Sequence, residues 1–177
     1  MRQIILVLVA FSWTACNIQA ADNGPFLPTS VNVYFSPKGG ATEACVKEIE
    51  AASKSIYVQA YSFTSKPIAA ALVAAKKRGV QVSVILDRSQ KTANYSEADF
   101  LAHAGISTAI DSKHAIAHNK LMVIDAETVI TGSFNFTSAA ESRNAENLLV
   151  LRDAALADRY LQNWLLHQGH SESYVGR

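Results

Sequence analysis

Apolar positions along the chain repeat with two different periods. Val31, Val33 and Phe35 alternate with other residues, the period-two pattern of a strand. Runs at 55–63, 80–87, 106–110, 118–124, 128–133 and 146–152 are short, rich in β-branched and large apolar side chains and bounded by turn residues, so they read as further strands. Helical spacing lies between them. An amphipathic helix is predicted over 41–53 after Lys38-Gly39-Gly40, and another from Pro67, a good first-turn residue, through Lys77 to a stop at Gly79. A polar loop (88–95) leads to a short helix near 96–104 that Gly105 caps, and Asp153 caps a last helix through His167 with Leu156, Tyr160, Leu161, Trp164 and Leu165 inward. Strands alternating with helices, several of them apolar on both faces, predict an α/β fold: a mixed central sheet covered by helices on both sides.

The first 30 residues do not belong to that alternation. Residues 4–12 are apolar except for Ser12 and follow Arg2, and Ile18-Gln19-Ala20 ends in the small residue a signal peptidase requires. Residues 1–20 therefore read as a secretory signal cleaved after Ala20, too short to span a membrane. Lipidation at Cys16 is the competing reading, for which Trp13 is a poor fit. Residues 21–30 form a leader, 31–177 a single domain, and the expected location is periplasmic or secreted. Removing residues 1–20 takes away Arg2 and no acid, leaving 15 basic residues against 15 acidic ones. Net charge thus gives no support to nucleic-acid binding, and a polyanion site must come from a local cluster. Cys45 would then be the sole cysteine, and with Val46, Ile49 and Ala52 at helical spacing around it a buried structural thiol is expected.

The stretch HNKLMVIDAETVITGSFN (118–135) carries the chemistry. In strands, residues two apart share a face, so His118 pairs with Lys120 and Ser133 with Asn135. An imidazole, an ammonium, a hydroxyl and a carboxamide converging on one spot make an oxyanion site with a nucleophile beside it. A lone strand histidine is usually structural; this company makes His118 a catalytic candidate. Asp125 falls at the strand end, outside the same-face set, where a turn or salt-bridge role fits better. His114 and His118 have the spacing of a helical metal clamp, but on an extended segment they would lie roughly 13 Å apart. No metal or cofactor is expected. Lys76, Lys77 and Arg78 read first as a solvated helix end, and with Arg88 and Lys91 they are the candidates for local phosphate contacts.

These residues resemble the HKD motif of the phospholipase D superfamily: His-x-Lys, four residues, Asp, six residues, Gly-Ser-x-Asn. His118, Lys120, Asp125, Gly132, Ser133 and Asn135 match every fixed position, and AYSFTS (60–65), ALVAAKKRGVQV (71–82) and Glu146 in NAENLLV resemble the small bacterial endonucleases of that superfamily. The resemblance implies the layered α/β fold and phosphodiester hydrolysis without metal, in which His118 forms a phosphohistidine, Lys120 and Asn135 hold the non-bridging oxygens, and Ser133 binds phosphate. Glu146 is expected to orient His118 through its other ring nitrogen, with Gly132 and Asp125 structural. Larger members carry two motif copies, so this single-copy chain is expected to form a homodimer sharing one site. The expected substrate is nucleic acid, DNA with little sequence preference. The alternatives are a lipid hydrolase, for which no interfacial apolar surface is evident in the sequence, and a non-catalytic nucleic-acid-binding or conjugation-associated component.

Overall fold

In the computed structural model, which describes residues 25–177, one sheet organises the chain. The expected signal sequence and the start of the leader lie outside the described residues. The strands are β1 (Ser30–Ser36), β2 (Ser55–Ala60), β3 (Gln81–Asp87), β4 (Ser107–Asp111), β5 (Lys120–Ile124), β6 (Thr128–Gly132), β7 (Glu146–Arg152) and β8 (Glu172–Tyr174), in the order β1-β7-β6-β5-β2-β3-β4-β8. β2, β3 and β4 are parallel and the other pairings antiparallel, so the sheet is mixed as expected.

Helices α1 (Ala41–Ala51), α2 (Lys66–Lys77) and α3 (Ala98–His103), with the short α4 (Ser138–Ser142), pack on one face over Ile56, Val58, Val84, Met122 and Ile130. The other face, built on Ile85, Leu121, Val123 and Val129, lies under α5 (Ala154–Gln168) through Ala157 and Trp164. Burial from both sides explains why β5 is apolar apart from its first residue: all five positions are buried. Trp164 anchors α5, with its ring centroid 4.9 Å from that of Tyr57 and its indole N–H donating to the Val58 carbonyl at 2.8 Å. Asp153 caps the helix as predicted, accepting from the Leu156 amide at 2.9 Å. Cys45 is buried, and burial pushes its thiol up to about 12, as expected of an inert structural cysteine.

Several boundaries differ. β2 ends at Ala60, not residue 63, because the chain leaves the sheet there and Phe63 makes a single bridge to Phe136. β5 begins at Lys120, so His118 precedes the strand and does not belong to it. A 3-10 turn occupies 88–91 of the expected loop, and α4 and β8 were not legible in the pattern. Leu165, expected inward, is 42% exposed; the helix points it away from the sheet.

The connectivity gathers the motif at one edge. β2 and β3 end at Ala60 and Asp87, and Ala60 pairs with Lys120 at the start of β5. Gly132, at the end of β6, pairs with Leu148 near the start of β7, and Ser36, at the end of β1, pairs with Glu146.

Candidate active site

At that edge a cleft of about 380 Å³ is lined by His118, Lys120, Gly132, Ser133, Asn135 and Glu146. Five of the six HKD positions, all but Asp125, thus meet with the expected carboxylate Glu146, although His118 lies on the segment entering β5. A larger groove of about 680 Å³, between α1, the residues before α2 and α4, has no histidine or cysteine in its walls.

Lys120 is the buried centre of the site, 8% exposed, while the ring of His118 is exposed above it. The lysine Nζ lies 2.9 Å from Nδ1 of His118 and donates to the carbonyl oxygen of the same residue at 2.7 Å. Nδ1 is therefore occupied, and Nε2 is the ring nitrogen left for substrate. Burial draws the Lys120 ammonium below the ordinary lysine range, and the negative charge of Glu146 works against that shift.

Tyr61 completes the support and was missed by sequence reasoning. Its ring centroid is 4.6 Å from that of His118, and the Lys120 ammonium lies 5.3 Å from the same centroid, so one aromatic face steadies both groups. The available signal was its place just beyond β2, opposite the start of β5. The backbone there is pinned by the Tyr61 amide, which donates to Asn119 O at 2.9 Å.

On the other wall, Gly132 has φ 141 and passes so close to β7 that an added Cβ would run into the carbonyl of Asn147. This approach lets the amides of both Ser133 and Phe134 donate to that carbonyl, at 3.1 and 3.2 Å, which aims Ser133 into the cleft. The Ser133 hydroxyl donates to Glu146 Oε2 at 2.6 Å, and Asn144 Nδ2 donates to Glu146 Oε1 at 3.2 Å. Glu146 consequently does not take the expected direct hold on His118 within this chain: its oxygens bind Ser133 and Asn144, and Nδ1 of the histidine belongs to Lys120. Asn135 is half buried with its carbonyl oxygen buried and unpartnered, which leaves the amide end to line the cleft.

Asp125 lies at the opposite end of the sheet, in the turn between β5 and β6, where Asp125 and Ala126 have φ 54 and 56. Its carboxylate accepts from the amides of Ser53, Lys54 and Ser55 and from the Ser53 hydroxyl, all within 2.8 to 2.9 Å. The motif aspartate thus ties the hairpin to the start of β2. Burial alone would raise its pKa, but these donors overcome it and hold the carboxyl below the usual range.

A family model described as "Cardiolipin synthase, PLD-like domain" matches residues 45–165, which contain every residue of the cleft. The chain belongs to the phospholipase D superfamily. It is 49% identical over 137 residues to a phospholipase D of Rickettsia bellii, covering 77% of this chain and 68% of the relative. A mitochondrial cardiolipin hydrolase of Canis lupus familiaris is 27% identical over 164 residues, 92% of this chain and 65% of the relative. Among solved structures, the phospholipase D family member Nuc of Salmonella typhimurium superposes with a TM-score of 0.79 at 42% identity, covering 82% of this chain and 97% of the other. With every motif residue except Asp125 assembled in one cleft, the chain is a phosphodiesterase of this superfamily.

Proposed function

We propose that this phosphodiesterase is an exported endonuclease that cleaves nucleic acid, DNA with little sequence preference, without a catalytic metal ion. The observation that carries the reading is the cleft itself: its six lining residues are polar or glycine, with donors for a phosphodiester and no side chain suited to an acyl chain. Further cations stand at the same sheet edge. Arg88 and Lys91 follow the end of β3, Lys38 the end of β1, and Arg143 precedes β7, so phosphates beside the scissile one meet positive charge despite the neutral total.

In the reaction, a non-bridging phosphate oxygen draws the Lys120 ammonium away from Nδ1 of His118. The ring proton then resides on Nδ1, which bares the Nε2 lone pair. Nε2 attacks phosphorus, the bond to the leaving oxygen breaks, and a phosphohistidine remains for water to hydrolyse. Lys120 and the Asn135 amide hold the oxygens as charge develops, the role that metal ions fill in two-metal nucleases.

The leaving oxygen needs an acid on the far side of phosphorus. A second His118, supplied by a two-fold partner, would provide it. Supporting this arrangement, β1 is an edge strand that exposes Val31, Val33 and Phe35 on one face, with Phe35 paired beside Asn147 next to the cleft. An apolar stripe leading from an active site fits a partner surface.

That same stripe, with relatives named as a phospholipase D and a cardiolipin hydrolase, favours a second reading: hydrolysis of phosphatidyl substrates at a lipid surface. Contrary to the sequence-based expectation, an exposed apolar surface is present. Incubating the protein with plasmid DNA, and separately with phosphatidylcholine or cardiolipin vesicles, both in excess chelator, tests the choice. Nicking and linearisation of DNA without release of phosphatidate supports the nuclease; turnover of lipid alone replaces it. Loss of DNA cleavage by the still-folded protein in chelator, restored by Mg²⁺ and not by one equivalent of Zn²⁺, would contradict metal independence.

A further inference from the structure

His114 converges with two other histidines, His167 and His170. At the C-terminal end of β4, the Asp111 carboxylate is completely buried and meets three imidazoles: His167 Nδ1 at 2.8 Å, His114 Nδ1 at 3.1 Å and His170 Nε2 at 3.3 Å, all on Oδ2. The three ring centroids are 4.9 to 5.3 Å apart. One nitrogen from each histidine and one carboxylate oxygen lie within 4.8 Å of one another.

We infer that Asp111, His114, His167 and His170 form a closed, four-ligand site for a divalent transition-metal ion of the zinc class, separate from the catalytic cleft. Three imidazole nitrogens and one carboxylate oxygen are a ligand set for such an ion, and four protein ligands leave no open position, the mark of a structural site. Metal–ligand bonds of about 2.0 to 2.2 Å put tetrahedral ligand atoms roughly 3.4 Å apart. The distances to Asp111 fall just below that value and no two ligand atoms are more than 4.8 Å apart, so the rings need only a modest adjustment around an ion. Hydrogen bonding alone accounts for the cluster less well. Three imidazole N–H groups would crowd one oxygen with two lone pairs, while Oδ1 takes the Lys113 amide at 3.1 Å and a longer contact of 3.3 Å from the same His114 nitrogen. His114 is 43% exposed and His170 22%, so an ion has access from solvent.

The ligands form two pairs of the same spacing, Asp111-x2-His114 and His167-x2-His170, the first leaving β4 and the second closing α5 before β8. An ion there would fasten the C-terminal segment to β4. It would also fix the loop that carries His114 and, four residues later, His118. Its role is to hold the segment entering the active site, not to take part in the reaction.

The full protein, stripped by chelator and dialysed, is titrated with Zn²⁺ in a calorimeter and with Co²⁺ by visible absorption, and its Tm is measured with and without Zn²⁺. The expected result is one equivalent per chain, intensified d–d bands of a tetrahedral Co²⁺ site and a raised Tm. His114→Ala, at an exposed loop position that leaves the core untouched, should keep its circular dichroism and weaken binding by about tenfold to a hundredfold or more; His167→Ala should do the same. His118→Ala keeps all four ligands and should bind as wild type. No saturable binding by the folded protein, unchanged binding in both His114→Ala and His167→Ala, or loss of binding in His118→Ala would overturn the site. None of these readouts requires substrate, so the outcome is independent of the nuclease reading.

Discussion

The Lys120 ammonium nitrogen lies 2.9 Å from Nδ1 of His118 and 2.7 Å from the carbonyl oxygen of the same residue. One buried cation thereby fixes both the ring and the backbone of the proposed nucleophile, and its charge state becomes a control on the site. Burial lowers the lysine pKa and Glu146 raises it. Replacing Glu146 with Gln removes the opposing influence, so the ammonium is lost at a lower pH than in wild type. The alkaline limb of the kcat/KM profile should therefore move to lower pH in Glu146→Gln, while the acid limb, set by other groups, stays closer to its place. A limb that stays put or moves upward would show that the two residues are not coupled in the working enzyme.

Basic residues at the two ends of the sheet should behave differently. Arg88 and Lys91 stand at the active-site edge, whereas Lys76, Lys77 and Arg78 end α2 at the opposite edge. The Arg78 guanidinium is already committed there, donating to the carbonyls of Ile49 and Glu50 in the last turn of α1 at 2.9 and 3.1 Å. Arg88→Ala with Lys91→Ala should weaken DNA binding and flatten its dependence on salt, by a log–log slope of about 1 per lost phosphate contact. Lys76→Ala with Lys77→Ala should leave both nearly unchanged. Fluorescence anisotropy across a salt series distinguishes them, and equal losses from the two pairs would argue against the assigned edge.

Asp125 should matter to stability and not to turnover. Its folded pKa is depressed, so the stabilisation it brings is present above the unfolded pKa of about 3.9 and is lost as pH falls through the lower folded value. Asp125→Asn removes a charged acceptor from a half-exposed turn and should cost about 1 to 2 kcal/mol at neutral pH. The difference from wild type should shrink in acid. Urea unfolding at several pH values measures it, and a penalty that persists undiminished below the folded pKa would contradict this account.

Much of this arrangement was legible in the sequence, for identifiable reasons. Strands buried on both faces announce themselves as continuous apolar runs, and β3, β5 and β7 fall close to their predicted spans. The motif spacing gave the residues of the cleft because β5 and β6 are adjacent, so their outer ends must meet. The same-face argument was only partly sound: His118 lies before β5, and a tether from Lys120, not strand geometry, holds its ring. Tyr61 was hidden because its partners are distant in sequence and meet it only through the pairing of β2 with β5. The Asp111 cluster was hidden for the same reason, since its two pairs come together only when α5 folds back toward the end of β4. Short elements such as α4 and β8 have too few residues for a period to show.

If the active site is shared across a two-fold axis, activity should report on pairs of chains. Co-expressing wild type with increasing His118→Ala protein and allowing random pairing should make activity per total chain fall as the square of the wild-type fraction. Charged replacements at Val33 and Phe35 should yield monomers with little activity. A strictly linear fall, with random pairing verified, would mean that each chain owns a complete site.

The central claim is that the imidazole of His118 attacks the phosphodiester. Rapid acid-free quenching of the protein during turnover of radiolabelled DNA should trap a phosphoramidate adduct that is stable in base, labile in acid and mapped by mass spectrometry to His118. Because that side chain is exposed, His118→Ala should fold with a Tm close to wild type and show neither adduct nor cleavage. A His118→Ala protein that cleaves DNA at the wild-type rate, or a wild-type adduct mapped to another residue, would contradict the account.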